Sequence, residues 1–184
     1  MTDQQLLESL LRERSLRFGD FTLASGQRSS YYIDARRTTM SAQGLAAIGR
    51  LGLSLIRARR WTADAVGGLT MGADPVAYAI ARASVDAPPI IDAFSVRKVG
   101  KDHGTKRLVE GSFETGSRVV VIEDVITSGG SALQAIDSIQ REGGIVLGLL
   151  AIVDREQGGR QAIESKGIEV VSATTISSLG VSVR

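Results

Sequence analysis

Two long runs of branched aliphatic residues constrain the fold of this chain more than any other feature. The first run lies within the segment from Arg118 to Ile122, and the second extends from Ile145 to Val153. A strand with one face in water alternates apolar and polar residues, so a continuous Val/Ile/Leu run indicates burial on both faces. The sequence therefore predicts an α/β protein with a mostly parallel sheet flanked by helices.

The remaining segments alternate between helical and strand patterns. Further strands are predicted at residues 18–23, 31–34, 65–69, 90–96 and 168–173. Helices are predicted at residues 2–14, from Ser41 past Leu55, from Asp74 to about Val85, and at 131–142 and 160–166. Thr2 and Gln5 have the spacing of a capping box, and Ser41 is expected to cap its helix.

The order of these elements predicts a single domain over residues 1–184, with about 1–40 forming a small N-terminal hood. Asp74 and Pro75 are expected to be the N-cap and first residue of their helix, and residues 97–111 a long polar loop. Parallel sheets bind ligands at the carboxyl ends of their strands. Functional residues are therefore expected just after Leu69, Ile122 and Val153.

Composition excludes several classes of function. The chain has no cysteine and a single histidine, which excludes disulfides, thiolate metal sites and multi-histidine metal sites. A metal, if used, should be a hard ion such as Mg²⁺ held by oxygen ligands. The net charge of +2 is too small to indicate nucleic acid or an anionic membrane as a partner. The charged N-terminus is unlike a secretory signal, so a cytoplasmic protein is expected.

The segment from Val119 to Ser131 contains the residues best suited to chemistry. Two acids, Glu123 and Asp124, end the apolar run and are followed by Val125, Ile126, Thr127, Ser128, Gly129, Gly130 and Ser131. Glycines let backbone N–H groups approach a phosphate, and the dipole of a helix N-terminus favours the anion. Carboxylates repel phosphate but suit sugar hydroxyls or Mg²⁺. An acidic pair alone would be consistent with an ordinary strand end. The acidic pair followed by the hydroxyl and glycine residues in this order instead indicates a binding site for a phosphorylated sugar.

This string resembles the phosphoribosyl pyrophosphate (PRPP) signature of type I phosphoribosyltransferases. That resemblance implies the type I phosphoribosyltransferase fold, with a mostly parallel sheet and an N-terminal hood. The nucleoside triphosphate loop and the Gly-x-Gly-x-x-Gly dinucleotide motif are both absent from the chain.

A second informative segment spans residues 94–107 and holds five basic residues and the single histidine. Its charge complements a pyrophosphate leaving group, although many basic runs are only solvated turns. The pattern of Arg97, Lys98, Lys101 and His103 resembles the catalytic loop of the orotate phosphoribosyltransferase family. Residues 21–32, with Phe21, Ser25-Gly26 and Tyr31-Tyr32, and the pair Asp154-Arg155 are similar to other segments of that family.

The resemblance implies transfer of the 5-phosphoribosyl group from PRPP to orotate. The products would be orotidine 5′-monophosphate and pyrophosphate, in the de novo biosynthesis of pyrimidines (UMP). It further implies Mg²⁺, held mainly through substrate oxygens near Glu123 and Asp124, and a homodimer with shared active sites. Arg97, Lys101 and His103 would be catalytic in the neighbouring subunit's site.

The family's other roles also transfer by position. PRPP would contact Lys98, the three catalytic residues of the basic loop (Arg97, Lys101 and His103) and every residue from Glu123 to Ser131. Thr127, Arg155 and the backbone near Tyr32 and Ile33 would contact orotate. Many members have Lys where this chain has Ala24 and Met71, and Arg28 is a candidate replacement.

Two alternatives stay open. Relatives specific for purine bases share the acidic string, and the basic loop, Arg155 and the Ser25-Gly26 segment favour orotate over them. Nucleotide-sensing regulators of RNA or DNA also use this fold and should show a helix-turn-helix extension or a concentrated basic face. This chain has no spare length for the extension, and much of its basic clustering lies in the loop of residues 94–107.

Overall fold

A computed structural model describes residues 1–22, 28–98 and 107–182. The helices are α1 (Asp3–Leu10), α2 (Arg36–Thr39), α3 (Ala42–Ala58), α4 (Ala73–Asp86), α5 (Gly130–Arg141) and α6 (Gly159–Glu164), and a π-helical turn, Leu11–Ser15, follows α1. The strands are β1 (Leu16–Thr22), β2 (Arg28–Ile33), β3 (Ala65–Leu69), β4 (Asp92–Val96), β5 (Val109–Gly111), β6 (Arg118–Ile126), β7 (Ile145–Asp154) and β8 (Val170–Thr175).

The described strands form two sheets. The larger has the order β5-β4-β3-β6-β7-β8, and all its neighbours are parallel except β4 and β5. The smaller is the antiparallel pair of β1 and β2. This arrangement confirms the predicted α/β class with a mostly parallel sheet and an N-terminal hood.

Burial on both faces explains the two aliphatic runs. Val120 and Ile122 of β6 pack in the cluster that includes Ile48 of α3 and Ile80 of α4. Val119 and Val121, which point the other way, pack with residues of α5 and α6. Because both faces of these strands meet helices, the runs from Val119 to Ile122 and from Ile145 to Val153 contain no polar side chain.

The hood packs onto the hydrophobic cluster that contains Val120, Ile122, Ile48 and Ile80. Leu7, Leu11, Tyr31 and Ile33 are buried in it together with residues of α3 and α4. The predicted capping box at Thr2 and the cap at Ser41 are both present. Within the described ranges, no helix is long and apolar enough to cross a membrane.

Several predicted boundaries were wrong. The helix expected to be capped by Asp74 begins at Ala73, and the Asp74 carboxylate instead accepts a hydrogen bond from Ser95 of β4 at 2.8 Å. The supposed loop 97–111 ends in β5, which pairs with β4. The first α-helix stops at Leu10, and the strand predicted from residue 90 begins at Asp92.

The most consequential correction concerns β6. It was expected to end at Ile122 but continues to Ile126, because β7 pairs with it as far as Asp154. The acidic pair therefore lies inside a strand rather than after one. Its geometry is fixed by backbone hydrogen bonds to a neighbour that local sequence does not reveal.

Candidate active site

A cavity of about 610 Å³ lies at the carboxyl ends of the parallel strands. It is lined by Leu69 at the end of β3 and Thr70 just after it, by Glu123 and Asp124 of β6, and by Arg155 just after β7. Polar residues at the ends of β3, β6 and β7 therefore line one cavity, at the edge of the sheet where functional residues were expected. The cavity is also lined by hood residues, including Tyr32 and Ile33 at the expected base position.

The two acids of β6 are desolvated. Burial, and then the neighbouring charge of Asp124, raises the pKa of Glu123 to about 8, although Lys98 opposes the shift. Glu123 Oε2 is buried and has no hydrogen-bond partner among the residues that the structure describes. Burial also raises the pKa of Asp124, whose Oδ1 accepts a hydrogen bond from the Val125 amide at 2.9 Å. Such carboxylates favour a cation or hydroxyl donors as partners.

Gly72 lets the β3–α4 turn approach Asp124 closely. A Cβ atom built on Gly72 would lie 2.5 Å from Asp124 Oδ1 and 2.7 Å from its Cγ. The turn and the acid therefore form one surface of the cavity. Met71, at a position where a cation was expected from the family pattern, lines the same cavity and is 60% exposed.

The glycine loop forms a small concavity beside the main cavity. It has a volume of about 70 Å³ and is lined by Glu123 and by residues 125–132, including Ile126, Thr127, Ser128, Gly129, Gly130 and Ser131. Gly129 has a φ of +83°, which glycine adopts without the steric cost of a side chain. The chain then enters α5 at Gly130, and the first N–H groups of a helix lack intrahelical partners. This geometry suits a phosphate group.

Arg155 is only 7% exposed. Its backbone N–H donates to the Ile126 carbonyl at 3.0 Å, which fixes the residue beside the end of β6. Nη2 has no hydrogen-bond partner within the described parts of the chain. A buried guanidinium with an unused donor is suited to a planar anion such as a carboxylate.

The basic loop is described only at its two ends. Lys98 lines the cavity, whereas Arg97 forms an ion pair with Glu110 of β5 at 2.9 Å. One end contacts α5, where Gln134 donates to the Lys98 carbonyl at 3.3 Å. The other end contacts the residue that follows this helix, because Glu142 accepts from the Leu108 and Val109 amides. Lys101 and His103 lie outside the described residues, as do Ala24 and the Ser25-Gly26 pair.

Asp34 and Arg36 are among the charged residues of the cavity wall that sequence reasoning missed. They form an ion pair at 2.8 Å, which lowers the pKa of Asp34, and the charge of Arg36 also acts to lower the pKa of Asp124. The available signal was their position at the end of a predicted strand, where Asp34 is the last residue and Arg36 follows shortly after, because strand ends gather at ligand sites.

The fold and this pairing of an acidic strand end with a glycine loop define a phosphoribosyltransferase domain. The profile of the phosphoribosyl transferase domain matches residues 39–176. Orotate phosphoribosyltransferase of Aquifex aeolicus is 43% identical, with 97% of this chain and 98% of the relative covered. The Mycobacterium tuberculosis H37Rv enzyme of the same name is 46% identical, with 97% of each chain covered.

A solved structure gives the same result. The chain matches the crystal structure of M. tuberculosis H37Rv orotate phosphoribosyltransferase in complex with PRPP at a TM-score of 0.83 and 42% identity. That match covers 97% of this chain and 99% of the other. The chain therefore belongs to the orotate phosphoribosyltransferase family.

Proposed function

We propose that this chain transfers the 5-phosphoribosyl group from PRPP to orotate, giving orotidine 5′-monophosphate and pyrophosphate in the de novo biosynthesis of pyrimidines. One observation supports this most directly. The acidic pair, the glycine loop and the buried Arg155 all line one connected region at the ends of β6 and β7. A sugar phosphate and a carboxylated base need these three kinds of group.

The geometry suggests how the substrates lie. The 5′-phosphate fits the concavity of residues 127–131, where backbone N–H groups and hydroxyls can donate to it. The ribose hydroxyls then lie over Glu123 and Asp124. Arg155, with its unused Nη2 donor, faces the base and binds the orotate carboxylate, and Thr127 lies between base and phosphate.

Mg²⁺ is part of the proposal. The donor set fits a hard cation, because Glu123 and Asp124 offer desolvated carboxylate oxygens, one of them without a partner among the described residues. When bound through substrate oxygens, the ion would neutralise charge that develops on the departing pyrophosphate. Chelation should therefore abolish turnover, and added Mg²⁺ should restore it.

The protein's own contribution is orientation and charge. Displacement at the anomeric carbon passes through a state with oxocarbenium character, as in glycoside chemistry. Holding PRPP and orotate in line lowers the entropic part of the barrier. Arg97, Lys101 and His103 would stabilise the leaving group from the neighbouring subunit, which requires a homodimer with shared active sites. A cytoplasmic location belongs to the same proposal.

Replacing Lys101 tests the catalytic role of the loop. Lys101→Ala should lower turnover at least tenfold, equivalent to about 1.4 kcal/mol in the barrier, because a cation on the pyrophosphate is lost. The comparison is made at saturating orotate and PRPP. A rate near that of the unaltered chain would refute the role.

Mixing two impaired variants tests the shared site. Asp124→Asn damages the cavity, whereas Lys101→Ala damages the loop given to the partner. If loops cross between subunits, random mixing should restore up to roughly a quarter of full activity, because heterodimers retain one intact site. No recovery, with subunit exchange verified, would place the loop in its own subunit's site.

The activity itself is tested by loss of orotate absorbance after mixing the purified chain with orotate, PRPP and Mg²⁺. Turnover that adenine, hypoxanthine and uracil cannot support would establish the proposed reaction. Bound PRPP without turnover of orotate would instead favour another base or a sensing role.

A further inference from the structure

The Arg155 side chain is held by a tyrosine of the hood. Its Nε–H donates to the Tyr31 hydroxyl at 3.1 Å, and its Cζ lies 4.8 Å from the centroid of the Tyr31 ring. Gln157 Nε2 lies 3.5 Å from the same hydroxyl. Tyr31 belongs to β2 and is itself only 7% exposed. The guanidinium therefore meets both the ring and the hydroxyl of one buried side chain.

These contacts leave one edge of the guanidinium available. A planar guanidinium can bind a carboxylate in a bidentate manner along its Nε–Nη2 edge or its Nη1–Nη2 edge. Because Nε–H is already directed at Tyr31, the first edge is obstructed. Nη2 is buried without a partner among the described residues, and Arg155 lines the cavity. A ligand carboxylate therefore meets the end of the guanidinium, in an orientation that Tyr31 sets.

We infer that Tyr31 is a positioning residue for base selection: it orients Arg155 so that the cavity favours a carboxylated base over the same ring without a carboxylate. The inference rests on the proposed function, in which Arg155 contacts orotate. Two physical reasons support it. An arginine held in place loses little freedom when it binds, and a buried donor left unpaired penalises a ring that lacks the carboxylate.

The hood thereby has a part in specificity as well as in packing. Tyr31 and Arg155 are 124 positions apart, and the tyrosine is anchored in the same cluster as α3 and α4. Tyr31→Ala would create a void in that cluster and impair folding, so it is a poor test. Tyr31→Phe keeps the ring beneath the guanidinium and removes only the hydroxyl.

Steady-state kinetics of Tyr31→Phe provide the test. The KM for orotate should rise about tenfold to a hundredfold, the range for losing a hydrogen bond to a charged group. The inhibition constant of uracil and the Kd for PRPP should both stay within about twofold, because neither ligand uses the oriented carboxylate contact. Tyr78→Phe is the matched control, since its hydroxyl bonds Ser95 and it does not line the cavity.

A double-mutant cycle with Arg155→Lys separates positioning from a general structural effect. If Tyr31 acts through Arg155, Tyr31→Phe should raise the KM for orotate in the unaltered chain but not further in the Arg155→Lys background. An unchanged KM for orotate, equal losses for orotate and PRPP, or additive effects in the cycle would each overturn the inference. Absence of orotate turnover in the unaltered chain would instead refute the proposed function.

Discussion

Gly129, between β6 and α5, allows a quantitative prediction about the glycine loop. Its φ of +83° is unfavourable for any residue with a side chain. A Cβ atom at this position would also lie 2.9 Å from the Gly159 carbonyl oxygen and 3.2 Å from Ile163 Cγ1. Gly129→Ala therefore adds a conformational cost and a collision with α6.

A second glycine separates these two effects. Gly116 has a φ of +90°, but apart from its chain neighbours no described residue has an atom within 4 Å of its Cβ position. Gly116→Ala should lower the free energy of unfolding by about 1–2 kcal/mol, the cost of left-handed backbone. For Gly129→Ala, overpacking adds about 1–3 kcal/mol, which brings the total to roughly 2–5 kcal/mol.

Urea unfolding of both variants, at one protein concentration, measures the difference. A fixed concentration is needed because association would also stabilise the fold. At about 2–4 °C per kcal/mol, the melting temperature of Gly129→Ala should fall further than that of Gly116→Ala by several degrees. PRPP affinity should also fall for Gly129→Ala alone, since only that glycine lies in the loop. Equal destabilisation of the two variants would refute the packing argument.

Two further predictions concern the acidic pair. An alanine at position 72 can adopt the local φ of −63°, so the main effect of Gly72→Ala should be to displace the Asp124 carboxylate. Calorimetry should then show weaker binding of PRPP with Mg²⁺. An unchanged affinity would contradict the close approach of Gly72 to Asp124. In the absence of metal, the Glu123→Gln variant should become increasingly stable relative to the unaltered chain as the pH rises from about 4.5 to about 8. Folding raises the pKa of this carboxyl, so the free energy of unfolding of the unaltered chain falls across that pH window, by up to about 1.4 kcal/mol per pH unit. Urea unfolding at pH 5.5 and 8.5 checks this, and a difference independent of pH would disprove it.

Local sequence determined the elements whose pattern is complete within one segment. The buried runs of β6 and β7, the capping box at Thr2 and the cap at Ser41 each depend on neighbouring residues alone. The glycine loop was predictable for the same reason, because strand, turn and helix N-terminus follow one another directly. From these elements the fold class and the position of the site at the strand ends could both be inferred.

Tertiary structure decided the features that depend on distant partners. β6 extends through its acids because β7 pairs with it, and Asp74 bonds Ser95 of β4 instead of capping α4. The raised pKa of Glu123 comes mainly from burial, which no local pattern reports.

The contact between Tyr31 and Arg155 shows the same limit most clearly. The sequence pointed to both residues but gave no sign that they touch. Hydrogen bonds and close packing act over a few ångströms in space, and only the folded chain brings residues so far apart in sequence within that range.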